Sequence, residues 1–255
     1  MNTIIFITDN TLTPEIAGLC QRVLLREAGE IPIVSVSQKP VEFGRNICVG
    51  EIGRNWISLY QQLLKGAEVA EDWVVVCEHD CLYTYEHLSY RPDGAGVFWY
   101  NHNCWLVQWG GNHPELNGMY SYWPRRLALS QLICHKDLLI QSVTERLEIL
   151  EHGGRMDRQF LGCGEPGVVS ERALEKARKA AESGKPIQLQ RYLNDYLKRY
   201  EHKTFGTVNP NLDIRHGSNF TGPKRGKKRT YELSSWGRFE DVKNAQTAHS
   251  RRDRS

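Results

Sequence analysis

The sequence has no apolar run that approaches the roughly 18 residues needed to cross a bilayer. Its N-terminal residues lack the basic start and the small-residue cleavage site of a secretory signal peptide. The seven cysteines are scattered, odd in number and without a Cys-x-x-Cys pair. That pattern argues against a structural zinc module and against a secreted disulfide framework. These absences predict a cytoplasmic protein without a membrane partner and with reduced cysteines.

Positive charge is concentrated at the C-terminal end of the chain. Residues 222–255 contain ten Lys and Arg against four Asp and Glu, whereas residues 1–221 contain 23 against 26. We therefore expect a folded domain over residues 1–221 and a basic, partly disordered tail over residues 222–255. Such a tail favours contact with nucleic acid or another acidic surface. A solvated terminal segment without a partner is the alternative interpretation.

Short apolar runs alternate with helical patterns in the first 83 residues. Ile4–Ile7, Ile31–Val36 and Trp73–Cys77 have the composition of buried strands. Apolar residues recur at helical spacing within residues 14–29 and 56–66, each pattern ending at a glycine. The resulting β-α-β-α-β order predicts an α/β fold with a mostly parallel central sheet flanked by helices.

The second half of the chain has a weaker pattern. Val97–Trp99 and Cys104–Gln108 are predicted strands around a turn, and Leu129–Cys134 is a further candidate strand. Lys136–Leu150 is predicted to be a helix, and the Gly-rich, charged residues 151–169 to be a loop over the sheet.

Glu78-His79-Asp80 directly follows the third apolar strand and is the most informative segment of the chain. Because side chains alternate along a strand, we expect Glu78 and Asp80 on one side and His79 on the other, packed against its neighbours. Ligands of open α/β sheets bind beyond the carboxyl ends of the strands. Two carboxylates there are costly to bury without a cation. The triplet therefore predicts a divalent metal ion together with a phosphate-bearing ligand.

This order of elements, with the pair Arg54-Asn55 and an acidic triplet 23 positions after Asn55, resembles that of GT-A-fold glycosyltransferases. In that family an Asp-x-Asp motif holds a manganese or magnesium ion that bridges the diphosphate of a nucleotide sugar. Glu78-His79-Asp80 looks like a variant with Glu in the first position. The resemblance covers residues 1–220 and implies a GT-A-like fold, Mn²⁺ or Mg²⁺ at Glu78 and Asp80, and a nucleotide-sugar donor, for which we expect a UDP-sugar.

The resemblance also implies a further metal ligand from a C-terminal histidine, and His216 stands where that ligand is expected. An imidazole suits manganese better than magnesium, which prefers oxygen ligands; a surface-loop histidine is the alternative. Ser218 and Asn219 are expected to order the loop over bound phosphates. Arg215 and Lys224 are expected to add positive charge beside the diphosphate.

Donor contacts are also implied for the residues that follow the first strand. Thr8, Asp9 and Asn10 stand where the family contacts the nucleoside base and ribose, although a turn and helix cap would use the same residue types. Arg54 is expected to pair with a phosphate or with acidic groups near the ribose, and Arg45 is its competitor.

An inverting enzyme also needs a carboxylate that takes the proton of the acceptor hydroxyl. The resemblance implies an acid just before a helix in the second half of the chain, and the candidates are Asp157 and Glu165. Asp157 ranks first because it lies in a glycine-preceded loop. The family's usual Glu-Asp pair is missing, and a capping or solvated acid is the alternative for both residues.

The acceptor is predicted from the aromatic segment 99–123 and the basic tail. Aromatic faces stack on sugars and on nucleobases. Together with the tail, they predict a hydroxymethylated pyrimidine in DNA as acceptor, as for phage DNA-modifying glycosyltransferases that act in the host cytoplasm. Two alternatives stay open: a metal-dependent nucleotidyltransferase, which also uses paired carboxylates, and a non-catalytic nucleic-acid-binding accessory protein that works through its basic tail.

Overall fold

The computed structural model describes residues 1–110, 114–124, 126–152, 165–168, 179, 182–183, 200–217, 219 and 228–244. In chain order its strands are β1 (Asn2–Thr8), β2 (Ile33–Ser37), β3 (Arg45–Cys48), β4 (Trp73–Glu78), β5 (Cys81–Leu82), β6 (Val97–Asn101), β7 (Cys104–Gln108), β8 (Tyr120–Tyr122), β9 (Leu132–His135), β10 (Glu201–Phe205), β11 (Asn211–Arg215), β12 (Lys228–Thr230), β13 (Glu232–Leu233) and β14 (Gly237–Arg238). The helices are α1 (Pro14–Ala28), α2 (Trp56–Val69), α3 (Tyr85–Leu88) and α4 (Lys136–His152), with 3-10 turns at Pro114–Leu116 and Leu129–Gln131.

Seven strands form the central sheet, in the order β10-β6-β9-β4-β1-β2-β3. Neighbouring strands are parallel except where β9 pairs antiparallel with β4 and β6. Parallel strands need crossover connections. Helix α1 supplies one between the neighbours β1 and β2, and α2 leads from the edge strand β3 back to β4, which lies on the other side of β1. The predicted fold class, α/β with a mostly parallel central sheet flanked by helices, is confirmed.

The central sheet is covered on both faces, as alternation along β1 shows. Ile5 and Ile7 belong to the apolar cluster that contains α2 and α4 residues, whereas Ile4 and Phe6 belong to the cluster on the other face, with the C-terminal end of α1. A strand buried on both faces has a continuous apolar run, and this is the run that the sequence shows.

Helix α2 begins with a capping box, in which the Asn55 side chain accepts the Ser58 N–H and the Ser58 hydroxyl accepts the Asn55 N–H. The prediction that this helix ends at Gly66 is wrong, since it continues to Val69. Gly66 has a packing role instead, because a Cβ atom there would lie 2.5 Å from Ile5 Cγ2. The glycine therefore allows the helix to approach the sheet closely.

A second sheet of five strands, in the order β12-β8-β7-β11-β5, packs on the other side of α1. Leu212 and Ile214 of β11 face α1 in a shared apolar cluster. The alternate residues Asp213 and Arg215 therefore lie on the opposite face, where they line a cleft. Within the described residues, no helix combines the length and the apolar character that a membrane crossing needs.

Part of the predicted basic tail packs on the second sheet. Strand β12 pairs antiparallel with β8, and residues 239–244 are helical. Phe239 is 1% exposed and makes edge contacts with the rings of Trp109 and Tyr120. The described part of residues 222–255 is therefore folded, and the domain boundary at residue 221 stays a prediction.

Candidate functional site

A cleft of about 270 Å³ opens at the carboxyl ends of β1 and β4. The ends of neighbouring parallel strands meet at this edge of the sheet, which is where open α/β sheets bind ligands. The first turn of α2 and the site face of β11 complete its walls. Eight of the residues for which the sequence predicts a role in the site line the cleft: Thr8, Asp9, Arg54, Glu78, Asp80, Glu165, Arg215 and Asn219.

Glu78 and Asp80 form the acidic centre of the cleft. Glu78 ends β4 and Asp80 lies in the following turn, and a carboxylate oxygen of each lies within 4.8 Å of the other and of Cys81 Sγ. Burial raises the pKa of Glu78 to about 8, with further upward contributions from the charges of Asp80 and Asp213. A carboxyl group whose ionisation is opposed in this way gains most from a nearby cation.

Asp80, by contrast, is surrounded by donors and positive charge. Asn219 Nδ2 donates to its Oδ2 at 2.9 Å, and His216 Nε2 lies 3.5 Å from the same oxygen. Burial raises the pKa of Asp80, but the hydrogen bond with His216 and the charges of His79, His216 and Arg215 outweigh it, and the pKa falls to about 2. The surroundings of Asp80 therefore favour its ionised form.

Strand β11 and the segment that follows it are hydrogen-bonded to the turn that carries Asp80. The Ile214 N–H donates to the Asp80 carbonyl at 2.8 Å, and the His216 N–H donates to Asn219 Oδ1 at 2.6 Å. His216 and Asn219 are thus brought to Asp80 from more than 130 positions away in the chain. His216 lies beside Asp80, where the sequence analysis expected a further metal ligand, and its role as a ligand stays a prediction. Asn219 was expected to order the loop over bound phosphates, and that role stays a prediction too.

This donor set fits a hard divalent cation. Two carboxylates and an imidazole supply oxygen and nitrogen ligands, which suit Mn²⁺ and, for the oxygens, Mg²⁺. Cys81 is near enough to contribute, but burial raises the pKa of its thiol well above the usual range. Since only the thiolate binds metal well, Glu78 and Asp80 are the better ligands. A contribution from His216, whose Nε2 lies 3.5 Å from Asp80 Oδ2, stays a prediction.

The expectation for His79 is wrong, because it lines the cleft instead of packing on the opposite side. Its Nδ1 lies 2.8 Å from Thr8 Oγ1 and 3.6 Å from Asp9 Oδ1. Burial lowers the pKa of His79, although the charges of Asp80 and Asp9 act in the opposite direction. The physical reason is that β4 ends at Glu78 and residues 79–80 form a turn, so the alternation of side chains stops there.

Asp9 and Arg54 form an ion pair on one wall of the cleft. Arg54 Nε lies 2.6 Å from Asp9 Oδ2, and the other Asp9 oxygen accepts two hydrogen bonds from Thr11. Burial raises the pKa of Asp9, but these bonds and the charges of His79 and Arg54 outweigh it and lower the pKa. Both residues are in place for a ligand, and Arg45, the competitor of Arg54, is exposed on edge strand β3.

Asn10 has a structural position beside the cleft and does not line it. Its φ angle of 60° is in the left-handed region, which asparagine tolerates better than most residues. Its Oδ1 accepts the backbone N–H groups of residues 38–39, at 2.9 and 2.8 Å. The Asn10 side chain therefore holds two loops together, as the turn interpretation expects. A contact between Asn10 and the nucleoside of the sugar donor stays a prediction.

A buried ion-pair cluster, of which the sequence analysis singled out Arg215 but not Asp213 or Arg126, lies in the same cleft. Arg126 Nη2 donates to Asp213 Oδ2 at 2.5 Å, and Arg215 Nε lies 3.3 Å from Asp213 Oδ1. Burial lowers the pKa of Arg126, but the charge of Asp213 outweighs it and raises the pKa, so the guanidinium stays charged. Arginines held in fixed positions suit the recognition of phosphate oxygens.

Glu165 and Asp157 are the two carboxylates predicted to take the proton of the acceptor hydroxyl. Glu165 lines the cleft. Asp157 lies outside the described residues, and so do the predicted phosphate contacts Ser218 and Lys224. The structure therefore brings Glu165 to the site, and the predictions for the other three residues remain untested.

No protein-family model matches the sequence, and the comparison with curated proteins finds no match. Among solved structures, the chain is similar to the bifunctional IspDF of Campylobacter jejuni, with a TM-score of 0.35, 12% identity and coverage of 58% of this chain and 44% of that one. It is similar to the glycosyltransferase GlyE of Streptococcus pneumoniae (TM-score 0.40, 10% identity, 98% and 64% covered). It is also similar to a mutant β-1,4-galactosyltransferase 7 of Drosophila in complex with manganese, UDP-Gal and xylobiose, with a TM-score of 0.36, 11% identity and coverage of 89% of this chain and 81% of that one. The chain spans less than two thirds of IspDF and GlyE.

Proposed function

We propose that this protein is a metal-dependent glycosyltransferase that moves a sugar from a nucleotide-sugar donor, a UDP-sugar, to a hydroxyl group. The observation that carries the proposal is the acidic pair Glu78 and Asp80 in a cleft that also holds the guanidinium groups of Arg126 and Arg215. The negative carboxylates favour binding of a cation, and the positive guanidinium groups favour binding of an anion. A nucleoside diphosphate bound with a divalent metal ion supplies both.

The residues of the cleft have distinct roles in this proposal. Glu78, Asp80 and His216 would hold Mn²⁺ or Mg²⁺, and the ion would supply Lewis-acid stabilisation of the charge on the departing diphosphate. Arg126 and Arg215 bind diphosphate oxygens, because their ion pairs with a buried aspartate fix the direction of their remaining donors.

The nucleoside is assigned to the wall formed after β1 and by the first turn of α2. Asp9 accepts hydrogen bonds there from ribose hydroxyls or a base N–H, while Thr8 and His79 support its position. Trp56, which also lines the cleft, offers an aromatic surface to the base. Arg54 pairs with Asp9 and keeps that carboxylate ionised.

For the acceptor we propose a hydroxymethylated pyrimidine in DNA. Support comes from the exposed basic residues Lys228 and Arg229 on β12 and from two large exposed aromatic residues, Trp123 at 41% and Tyr231 at 52%. A base in a duplex has to be flipped out, or its hydroxyl reached in a groove. Binding of duplex DNA should weaken steeply as salt rises. Affinity that is independent of salt would favour a different hydroxyl acceptor.

Turnover of a panel of nucleotide sugars with Mn²⁺, and in a parallel assay of nucleoside triphosphates with sugar phosphates, tests the proposed function. A glycosyltransferase releases nucleoside diphosphate, whereas the alternative nucleotidyltransferase releases pyrophosphate from a nucleoside triphosphate and a sugar phosphate. We expect Asp80→Asn to lower diphosphate release by about 100-fold or more. Asp93→Asn, an exposed aspartate outside the cleft, is the matched control and should retain the wild-type rate. Pyrophosphate release, or an Asp80→Asn variant at the wild-type rate, would contradict the proposal.

A further inference from the structure

A glutamine side chain is buried in the wall of the cleft. Gln62 of α2 is 3% exposed and lines the cleft. Its Nε2 donates one hydrogen bond to the Thr8 carbonyl at 2.8 Å and one to the Val36 carbonyl at 2.9 Å, at the ends of β1 and β2. Both hydrogens of the amide nitrogen are therefore used, and the amide plane is fixed against the sheet.

The two bonds of the amide nitrogen also determine what the Gln62 oxygen can do. Because main-chain carbonyls only accept hydrogen bonds, the amide atom that faces Thr8 and Val36 has to be the nitrogen. Within the described residues, Gln62 Oε1 has no hydrogen-bond partner, and it is not among the fully enclosed side-chain atoms that lack one. The oxygen is therefore open to the cleft, and an acceptor in this buried position favours a ligand that carries a hydrogen-bond donor.

A second glutamine of the same wall is held in the same way. Gln38 directly follows β2 and is 8% exposed, and its Nε2 donates to the Gly53 carbonyl at 2.6 Å. Its oxygen has no partner within the described residues either, and Gln38 also lines the cleft. A uridine offers two kinds of donor, the N3–H of the base and the hydroxyl groups of the ribose. Two acceptor oxygens in one wall match these two kinds of donor.

Apolar side chains lead along α2 to the Gln62 amide. Trp56, Leu59 and Gln62 follow one another at a spacing of three residues, which places them on one face of the helix, and all three line the cleft. A flat ring can lie against Trp56 and Leu59, and its polar edge then meets Gln62. The base of a nucleotide has this combination of an apolar face and a polar edge, whereas a ribose or a diphosphate does not.

We propose that Gln62 determines which nucleobase the sugar donor carries, because its Oε1 accepts the N3–H of uracil; the inference rests on the proposed function. Cytosine has nearly the same size and shape, but its N3 carries a lone pair in place of the hydrogen. Two lone pairs would then face each other, and the amide cannot turn, because its nitrogen is bonded to two strands. A site built to bond an N–H group rejects an analogue that lacks it far more strongly than a purely apolar site does.

Dissociation constants of UDP and CDP, measured with Mn²⁺ on wild type and on Gln62→Met, test the assignment. Methionine keeps the length of the side chain and removes the acceptor. The wild type should bind UDP about 100-fold or more tightly than CDP. Gln62→Met should bind UDP about 10- to 100-fold more weakly than the wild type does, and its preference for UDP over CDP should fall below about 10-fold. Gln61→Met is the matched control, at the neighbouring position of α2 and outside the cleft, and should keep the wild-type preference.

The ratio of the two dissociation constants separates base recognition from a merely structural role. If the amide only holds the ends of β1 and β2 together, Gln62→Met weakens UDP and CDP binding alike, and the unchanged ratio would overturn the proposal. An analogue keeps the test independent of the folding of the variant. In 3-methyl-UDP a methyl group replaces the N3 hydrogen, and the wild type should bind it about 100-fold or more weakly than UDP. Equal affinity for UDP and 3-methyl-UDP would overturn the role of Gln62.

Failure of the proposed function would be visible separately, as a wild-type protein that binds no nucleoside diphosphate in the presence of Mn²⁺. The role of Gln62 would then fall with it. A wild type that binds UDP and turns over a UDP-sugar, but whose preference over CDP survives in Gln62→Met, would overturn the role of Gln62 alone and leave the proposed function intact.

Discussion

At Glu78 and Asp80, two neighbouring carboxyl groups have pKa values displaced in opposite directions. Burial and two nearby negative charges raise the pKa of Glu78 to about 8, while donors and positive charges lower that of Asp80 to about 2 in spite of burial. Opposed shifts in adjacent groups are typical of functional sites, because the environment gives each group a different task. This split supports the assignment of the cleft as the working part of the molecule.

His87 gives a stability prediction that can be tested by pH. Burial lowers its pKa to about 3, whereas in the unfolded chain the pKa is about 6.5. Below that pH only the unfolded chain takes up the proton. The contribution of neutral His87 is therefore fully present above about pH 6.5 and falls by up to about 1.4 kcal/mol per pH unit toward pH 3.

Urea titrations of wild type and His87→Phe between about pH 5 and 7.5 measure this dependence. Phenylalanine keeps a ring between Tyr83 and Phe205, with which His87 now stacks. The free energy of unfolding of the wild type should fall more steeply with decreasing pH than that of the variant. Equal slopes would show that the histidine titrates alike in both states.

At the residue scale, proximity to a recognised motif decided what could be predicted. Glu78 and Asp80 stood out because a buried apolar strand ended in acids. Asp213 and Arg126 had no such signal, since they pair across 87 positions and meet only through sheet pairing and a loop. His79 was misjudged because alternation holds within a strand and not in the turn that follows.

At the element scale, the predictions succeeded where apolar patterns are long. Strands β1 and β4 and helices α1 and α2 are present, because each buries a continuous run or a helical stripe. Strand β3 was missed because Arg45–Cys48 is polar or half-exposed at the sheet edge. The predicted strand Leu129–Cys134 is a 3-10 turn followed by β9, and periodicity alone does not separate these two in a short apolar run.

Two glycines in helices predict opposite results for the same substitution. Gly18→Ala in α1 should raise the free energy of unfolding by about 0.5–1 kcal/mol, because the new Cβ meets only the movable end of Arg22. Gly66→Ala in α2 should lower it by about 1–3 kcal/mol, because its Cβ would lie 2.5 Å from buried Ile5.

Denaturant titration of both glycine variants measures the two changes, with the exposed loop substitution Gly96→Ala as reference. The reference should stay within about 0.5 kcal/mol of the wild type. If Gly66→Ala were as stable as Gly18→Ala, then α2 would not lie as close to β1 as the structure places it.

At the scale of the whole molecule, the C-terminal segment joins the core that supports the site. Phe239 is 1% exposed in the cluster shared by α1 and β11. Phe239→Ala should therefore lower the free energy of unfolding by about 3–5 kcal/mol. Tyr231→Ala, at a residue that is 52% exposed, should change it by no more than about 0.5 kcal/mol. Equal, small effects in thermal or urea unfolding would mean that this segment is dispensable for the fold.

The composition of the segment did not indicate this packing. Its excess of Lys and Arg predicted a basic, partly disordered tail over residues 222–255, and within the described residues 228–244 apolar side chains such as Phe239 and Val242 pack residues 239–244 on the second sheet. The assembled site depends on this architecture, since β11 of the second sheet carries Asp213 and Arg215 to acids that belong to the first. No local pattern in the sequence specifies that two sheets share one cleft.

The most direct test of the central claim is a thermal-shift titration with nucleoside diphosphates, UDP first, in the presence and absence of Mn²⁺. A ligand that binds only the native state stabilises it by about 2.7 kcal/mol at 100 times its Kd. We predict a rise in Tm that needs both UDP and Mn²⁺, is lost in Asp80→Asn and is retained in Asp93→Asn. A rise that is independent of Mn²⁺ or that survives in Asp80→Asn, or no rise with any nucleotide, would contradict the account.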